Sequence, residues 1–97
     1  MRIDVIAFTG NGCGTALRIK DALPEEDVRL HAKTTGDPRG IPVLEGNAGD
    51  WFGKAFAEAD AIISIGAVGI TVRYIAPFIR SKISDPAVVA MDEKGTW

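Results

Sequence analysis

Short apolar runs alternate along this chain with apolar residues that are spaced as in amphipathic helices. The runs cover residues 2–8, 28–32, 61–65 and 87–91. The helical spacing lies between them, over residues 13–23, 52–59 and 68–79. Strands that are separated by helices form right-handed crossovers and a parallel sheet. The alternation therefore predicts an α/β fold, a three-layer doubly wound (flavodoxin-like) domain with a mainly parallel sheet of about four strands in the order 2-1-3-4.

The character of each run predicts its place in the sheet. Residues 61–65 are almost continuously apolar, which is typical of a central strand buried on both faces, whereas residues 28–32 alternate as an edge strand does. Residues 34–49 are loop-like, with 41–44 as a short extended piece. Asp50 is the predicted N-cap of the second helix. Pro77 is expected to kink the third helix or to begin another near Ala76.

Composition excludes several classes of protein. The chain has 97 residues, 46% of them hydrophobic, and a net charge of −2, which fits one globular domain and gives no basic stripe for nucleic acid. Cys13 is the only cysteine and His31 the only histidine, so a Cys/His zinc site is excluded and a reducing, cytoplasmic location is expected. No apolar run approaches the roughly 18–20 residues of a membrane span. We therefore expect no metal site in the protein and no membrane partner.

Two glycine-rich segments follow the first and third strands, and ligands of open parallel sheets bind at the carboxyl ends of strands where the strand order reverses. The first segment offers an anion cradle built from Gly10, Gly12, Gly14 and Thr15. It has neither the spacing of a dinucleotide fingerprint nor the lysine of a P-loop. The alternatives are a tight turn or a phosphate-binding module. The second segment is Gly66, Ala67, Val68 and Gly69.

Other reactive residues have ordinary structural alternatives. Arg73 could clamp a carboxylate, or could be a solvated charge. Asp92 and Glu93 could take part in proton transfer, or could only form a turn. Cys13 could have a lowered pKa at a helix start, although a structural role is favoured. His31 is expected at the surface, and Trp51 is expected in the core or an interface.

The last third of the chain has a pattern that is more specific for one protein family. Residues 66–77 are GAVGITVRYIAP, Lys82 follows, and residues 85–95 are DPAVVAMDEKG. This pattern resembles the N-terminal region of the CbiG family, the cobalt-precorrin-5A hydrolases of anaerobic cobalamin biosynthesis. The family pattern is G-A-x-G-I-x-V-R-x-I-A-P followed by K-x-x-D-P-A-V-V-x-x-D-E-x-G. The resemblance covers about a third of the chain and does not extend to the first glycine-rich segment.

The resemblance implies an activity in tetrapyrrole metabolism: water opens the δ-lactone of cobalt-precorrin-5A, and a two-carbon fragment leaves as acetaldehyde. The substrate carries the cobalt, so no protein cofactor is implied. Backbone N–H groups of residues 66–69 would suit the oxyanion of such a reaction. Arg73, Arg80 and Lys82 would anchor substrate carboxylates. Asp92 or Glu93 would be the general base.

Family members continue with another strand, an S-G-H-x-G-G-A-N element and a C-terminal domain. Residues 1–97 are therefore expected to form a single α/β domain, one strand short, from a longer cobalamin-biosynthesis protein. Expected partners are a cobalt-corrinoid intermediate, the remainder of the enzyme and a second copy in a homodimer. The sequence leaves open whether this chain is an active enzyme or a non-catalytic domain that binds the macrocycle.

Overall fold

The computed structural model describes residues 1–66, 68–79 and 85–94. In these residues four strands alternate with three α-helices and a short 3₁₀ helix. Their bounds are β1 Arg2–Ala7, α1 Gly10–Ala22, β2 Asp27–Ala32, α2 Ala48–Glu58, β3 Ala61–Ile65, α3 Val68–Ile75, the 3₁₀ helix Ala76–Phe78 and β4 Ala87–Met91.

The four described strands are parallel and lie in the order β2-β1-β3-β4, which confirms the predicted flavodoxin-like α/β architecture. Strand β1 is central, and its Val5 lies beside Leu30 of β2 and Ile63 of β3. Helix α1 packs on one face of the sheet, and α2 and α3 pack on the other. Right-handed crossovers require this change of face, because the strand order reverses direction after β2.

Each face of the sheet has its own apolar core. On the α1 face, Val5, Cys13 and Ala16 are fully buried. On the other face, Phe52 of α2 is fully buried; its ring stacks on Tyr74 of α3 at 5.2 Å and meets the edge of Trp51 at 5.0 Å. Burying one such aromatic side chain stabilises the fold by about 2–3 kcal/mol. The predicted core position of Trp51 is confirmed.

Two helix starts differ from the prediction. Helix α1 begins at Gly10 and not at Cys13, because the Thr9 hydroxyl accepts a hydrogen bond of 2.8 Å from the Gly12 N–H and caps the helix there. The first glycine cluster is therefore the first turn of the helix itself. Helix α2 begins at Ala48, and Asn47 is its N-cap. The Asp50 prediction is wrong: its N–H donates to Asn47 Oδ1 at 2.8 Å, so Asp50 lies inside the first turn.

Two other predictions about connections are confirmed. The extended piece near residue 43 forms one parallel bridge with Ala32, whose N–H donates to the Pro42 carbonyl at 2.9 Å. The 3₁₀ helix begins at Ala76 and has Pro77 in its first turn, where a missing N–H costs no helical hydrogen bond. In the described ranges, no helix is long and apolar enough to span a bilayer.

Candidate functional site

The carboxyl ends of β1 and β3 meet where the strand order reverses. The Phe8 N–H donates to the Ile65 carbonyl at 3.0 Å. Gly66 follows with φ +91°, a conformation that favours glycine, and a Cβ there would lie 3.3 Å from Thr9 Cγ2. A Cβ on Gly12 would lie 3.2 Å from Ile65 Cγ2. The glycine segments thus let α1 and the end of β3 approach closely, and the structure brings both segments to one edge.

The second glycine segment leads into α3, which carries part of the family-like motif. Gly69 is exposed, with open space around the position of a Cβ. Buried Ser64 Oγ and Thr71 Oγ1 lie 2.6 Å apart and fix α3 to β3. Val68 is the first residue of α3, whereas Ala67, Arg80 and Lys82 lie outside the described residues. The predicted backbone donors of this segment therefore stay a prediction.

Arg73 lies near the end of α3 and is exposed. Within the part of the chain that the structure describes, it forms no salt bridge. Its guanidinium group is accessible to an external carboxylate, which is the condition that a substrate clamp needs. The clamp stays a prediction.

The candidate bases follow β4 at the same edge of the sheet. The Gly66 N–H donates to the Met91 carbonyl at 2.9 Å, which brings the two segments together. Asp92 is exposed, and its Oδ1 accepts a hydrogen bond of 2.9 Å from the Lys94 N–H in the turn. Glu93 is half-buried, and its carbonyl accepts from Thr15 Oγ1 at 2.5 Å. The turn and the α1 contact explain these positions structurally, and the role as general base stays a prediction.

The predicted anion cradle lies at the start of α1. Its Gly12 N–H donates to the Thr9 hydroxyl, and the buried Thr15 hydroxyl donates to Glu93. A Cβ on Gly10 would lie 3.4 Å from the backbone of Asp37, so the loop that follows β2 covers the start of the helix. Gly14 faces a neighbouring cleft of about 510 Å³. The donors at Gly12 and Thr15 therefore already have partners inside the protein.

The cleft beside α1 contains basic side chains that the sequence analysis did not single out. Arg18 Nη2 donates to Thr15 Oγ1 at 2.9 Å. Arg39 comes from the loop after β2, and Lys94 comes from the turn after β4. Arg18 could have been found as the residue one helical turn after Gly14. The loop conformation that brings Arg39 here had no sequence signal.

The cysteine and the histidine lie on opposite faces of the sheet. Cys13 is fully buried, and burial raises the pKa of its thiol, which supports the structural role. The surface expectation for His31 is wrong. Its ring is half-buried against the edge of Trp51 at 5.7 Å, and its Nδ1 is buried without a hydrogen-bond partner among the described residues. Burial lowers the pKa of His31.

In the residues that the structure describes, no three or more His, Cys, Asp or Glu side chains form a group that could hold a metal ion. A family model described as "Cobalamin synthesis G N-terminal" matches residues 50–97. The chain belongs to this CbiG N-terminal family. The matched range includes the Gly66 segment, Arg73, Asp92 and Glu93.

Two relatives of this CbiG N-terminal chain extend the similarity to its first half. It is 37% identical over 95 residues to the cobalt-precorrin-5A hydrolase of Salmonella typhimurium, an alignment that covers 96% of the chain and 26% of the relative. It is 32% identical over 94 residues to the cobalt-precorrin-5A hydrolase of Priestia megaterium, covering 94% of the chain and 25% of the relative. The chain thus spans about a quarter of the length of these curated relatives. No solved structure matches it significantly.

Proposed function

We propose that this chain acts in cobalamin biosynthesis, as the N-terminal part of a hydrolase that opens the δ-lactone of cobalt-precorrin-5A and releases acetaldehyde to give cobalt-precorrin-5B. The observation that carries the proposal is the similarity of nearly the whole chain to two relatives named cobalt-precorrin-5A hydrolase. The meeting of both glycine segments at one edge supports it, since ligands of this fold class bind there.

Lactone hydrolysis needs hydrogen-bond donors for an oxyanion and a general base, and residues at that edge could supply both. Water adds to the lactone carbonyl, and the developing oxyanion needs donors such as the backbone N–H groups of residues 66–69, one of which is typically worth about 3–4 kcal/mol. The ring C–O bond then breaks, which leaves a carboxylate and an alcohol. The alcohol loses its proton, its carbon–carbon bond to the macrocycle breaks as acetaldehyde forms, and the macrocycle carbon that keeps the electron pair takes up a proton. Asp92 or Glu93 would accept the proton of the attacking water.

Substrate carboxylates would be held by Arg73 and Lys82, because guanidinium and ammonium groups pair with carboxylates. The cobalt belongs to the substrate, so the proposal needs no cofactor bound by the protein. Its further parts are a cytoplasmic location and assembly with the remainder of a longer enzyme or with a second copy of the chain.

A second candidate is a domain that binds the macrocycle without catalysing its hydrolysis. Two observations favour it: the chain spans about a quarter of its relatives' length, and the hydroxyl of Thr15 and the carboxylate of Asp92 already accept or donate hydrogen bonds within the protein. Both candidates bind the same substrate, but only the first converts it.

Incubation with cobalt-precorrin-5A separates the candidates, with acetaldehyde measured by its NADH-dependent reduction and the Salmonella typhimurium hydrolase as positive control. Acetaldehyde from the chain supports catalysis, and binding without acetaldehyde supports the second candidate. Absence of binding under conditions where the control turns over would overturn both.

The Arg73 clamp has its own test. Arg73→Ala is expected to weaken substrate binding roughly tenfold, since a charge-assisted hydrogen bond is lost. The matched control is Arg29→Ala, which removes the same charge from β2, where Arg29 pairs with Asp27 at 2.9 Å. An unchanged affinity in Arg73→Ala removes Arg73 from the site.

A further inference from the structure

We propose that the cleft between α1, the loop at Arg39 and the turn after β4 binds carboxylate groups of a polycarboxylate ligand, with Arg18 and Arg39 as the recognising side chains. The inference deepens the proposed function and rests on it in naming the ligand, because the substrate macrocycle would supply the carboxylates. This basic cleft is lined by Asn11, Gly14, Thr15, Leu17, Arg18, Arg39, Glu93 and Lys94.

The basic cleft has an excess of positive charge, although the whole chain has a net negative charge. Three of its lining residues are cationic, Arg18, Arg39 and Lys94, and Glu93 is its one carboxylate, whereas the whole chain has a net charge of −2. None of the three cations forms a salt bridge with a residue that the structure describes. Three cations against one carboxylate leave the cleft with a net positive charge, which favours the binding of an external anion.

The backbone is arranged to bring Arg39 to the cleft. Arg39 has φ +52°, a left-handed conformation that a non-glycine residue adopts at a cost, and Gly40 follows with φ +83°. Its N–H donates to Asp37 Oδ1 at 2.9 Å, which helps to hold the loop in this turn. The side chain emerges from this turn toward α1.

Gly14 makes the space that the Arg39 guanidinium group fills. A Cβ on Gly14 would lie 2.6 Å from Arg39 Nη1 and 3.2 Å from its Cζ. Glycine in the interior of a helix is destabilising relative to alanine. The end of the Arg39 side chain thus occupies the space that a side chain at position 14 would take.

Arg18 reaches the same space from α1 and is already oriented. Its Nη2 donates to Thr15 Oγ1 at 2.9 Å, and that hydroxyl in turn donates to the Glu93 carbonyl. Gly14 and Arg18 are four residues apart and share one face of the helix. One guanidinium N–H of Arg18 is used in this network, and the remaining donors of its fork can bind a carboxylate.

The ligand class follows from the chemistry and the number of these groups. Guanidinium forks match planar carboxylates in a bidentate geometry. Two of them come from different elements and line one space together with the ammonium group of Lys94, so a ligand with several carboxylates on one frame fits better than a single small anion. A polyphosphate carries the same sign of charge, and the experiment must separate the two sources.

The test measures binding of uroporphyrin, a soluble tetrapyrrole with eight carboxylates, to the 97-residue chain by quenching of porphyrin fluorescence. The variants are Arg18→Gln and Arg39→Asn; asparagine tolerates the left-handed conformation, so the loop at residue 39 is not strained further. Each is expected to weaken binding roughly tenfold. The control Arg29→Gln removes one charge on the α2 side of the sheet and is expected to leave affinity within twofold.

Gly14→Ala tests the geometry separately from the charge. The added methyl group displaces the Arg39 guanidinium while improving helix propensity. Uroporphyrin binding is expected to weaken as in Arg39→Asn, while the urea midpoint of unfolding stays the same or rises. Weaker binding in a variant of unchanged or higher stability cannot result from unfolding.

Three results would overturn the inference. They are unchanged uroporphyrin affinity in Arg18→Gln and Arg39→Asn, an equal loss in Arg29→Gln, and tighter binding of tripolyphosphate than of uroporphyrin. Because the readout is binding of a porphyrin and not lactone hydrolysis, failure here leaves the acetaldehyde assay unaffected. Failure of that assay likewise leaves the carboxylate binding of the cleft intact.

Discussion

Thr15 Oγ1 donates a hydrogen bond of 2.5 Å to the carbonyl oxygen of Glu93 and so joins the first helix to the turn after the last described strand. Thr15 Oγ1 also accepts a hydrogen bond of 2.9 Å from Arg18 Nη2. One buried hydroxyl group thus binds the backbone of a candidate base and the side chain of a cleft arginine. Because the two ends of the contact are 78 residues apart, it depends on the complete order of strands in the sheet.

We expect Thr15→Val to lower the free energy of unfolding by about 1–2 kcal/mol, since the isosteric side chain leaves the Glu93 carbonyl without its donor. Urea unfolding at neutral pH measures this loss. The control is Thr35→Val at an exposed loop position, which should change the free energy by less than about 0.5 kcal/mol. Equal effects of the two substitutions would contradict a specific role for the Thr15 hydroxyl.

His31 should make stability depend on pH in one direction. Burial lowers its pKa in the folded state, and Arg2, Arg29 and Lys54 act in the same direction, while Asp4 opposes them. The unfolded chain therefore binds the proton more readily, and stability falls as the pH drops below the unfolded value of about 6.5. Above that pH both states are neutral and the penalty vanishes.

The measurement compares urea midpoints at pH 7.5 and pH 5.5 for the native chain and for His31→Phe. Phenylalanine keeps a ring against Trp51 and removes the buried Nδ1 that lacks a partner among the described residues. The native chain should lose stability between the two pH values, and the variant should lose less. The same pH dependence in both would show that another group is responsible.

The stacked rings of Phe52 and Tyr74 connect α2 to the helix that carries Gly69 and Arg73. Phe52→Ala should destabilise the fold by about 3–5 kcal/mol, because it removes a fully buried ring. A double-mutant cycle with Tyr74→Ala should give a coupling energy of about 0.5–1.5 kcal/mol. The control cycle pairs Tyr74 with Leu23, which packs on the opposite face of the sheet, and should give a coupling near zero.

Strand positions and order were predictable because buried parallel strands need continuous apolar runs, as in residues 61–65. The cap of α2 was not, because Asn47 and Asp50 are both good N-cap residues; Asn47 starts the helix, and Ala48, 3% exposed, is then already packed in the core. The edge that joins the glycine segments was predictable from topology. Arg39 was not, because its position depends on a left-handed turn and on the packing of its loop against α1, and a non-glycine residue at position 39 does not indicate such a turn.

Two arginine–aspartate pairs with the same sequence spacing offer a direct comparison of burial. Arg2 binds Asp4 through two hydrogen bonds of 3.0 Å, and the Asp4 side chain is 3% exposed. Arg29 binds Asp27 at 2.9 Å, but that carboxylate is 56% exposed. Removing the cation should matter in the first pair, since a buried carboxylate loses its counter-ion, and little in the second, since water replaces the arginine.

Arg2→Met should therefore lower the urea midpoint at pH 7 clearly, and Arg29→Met should leave it almost unchanged. The double variant Arg2→Met/Asp4→Leu should recover most of the loss, because it removes the buried carboxylate together with its partner. If the double variant is as unstable as Arg2→Met, the loss arises from other contacts of the arginine, such as its 3.2 Å hydrogen bond to Glu58, and not from an unpaired Asp4.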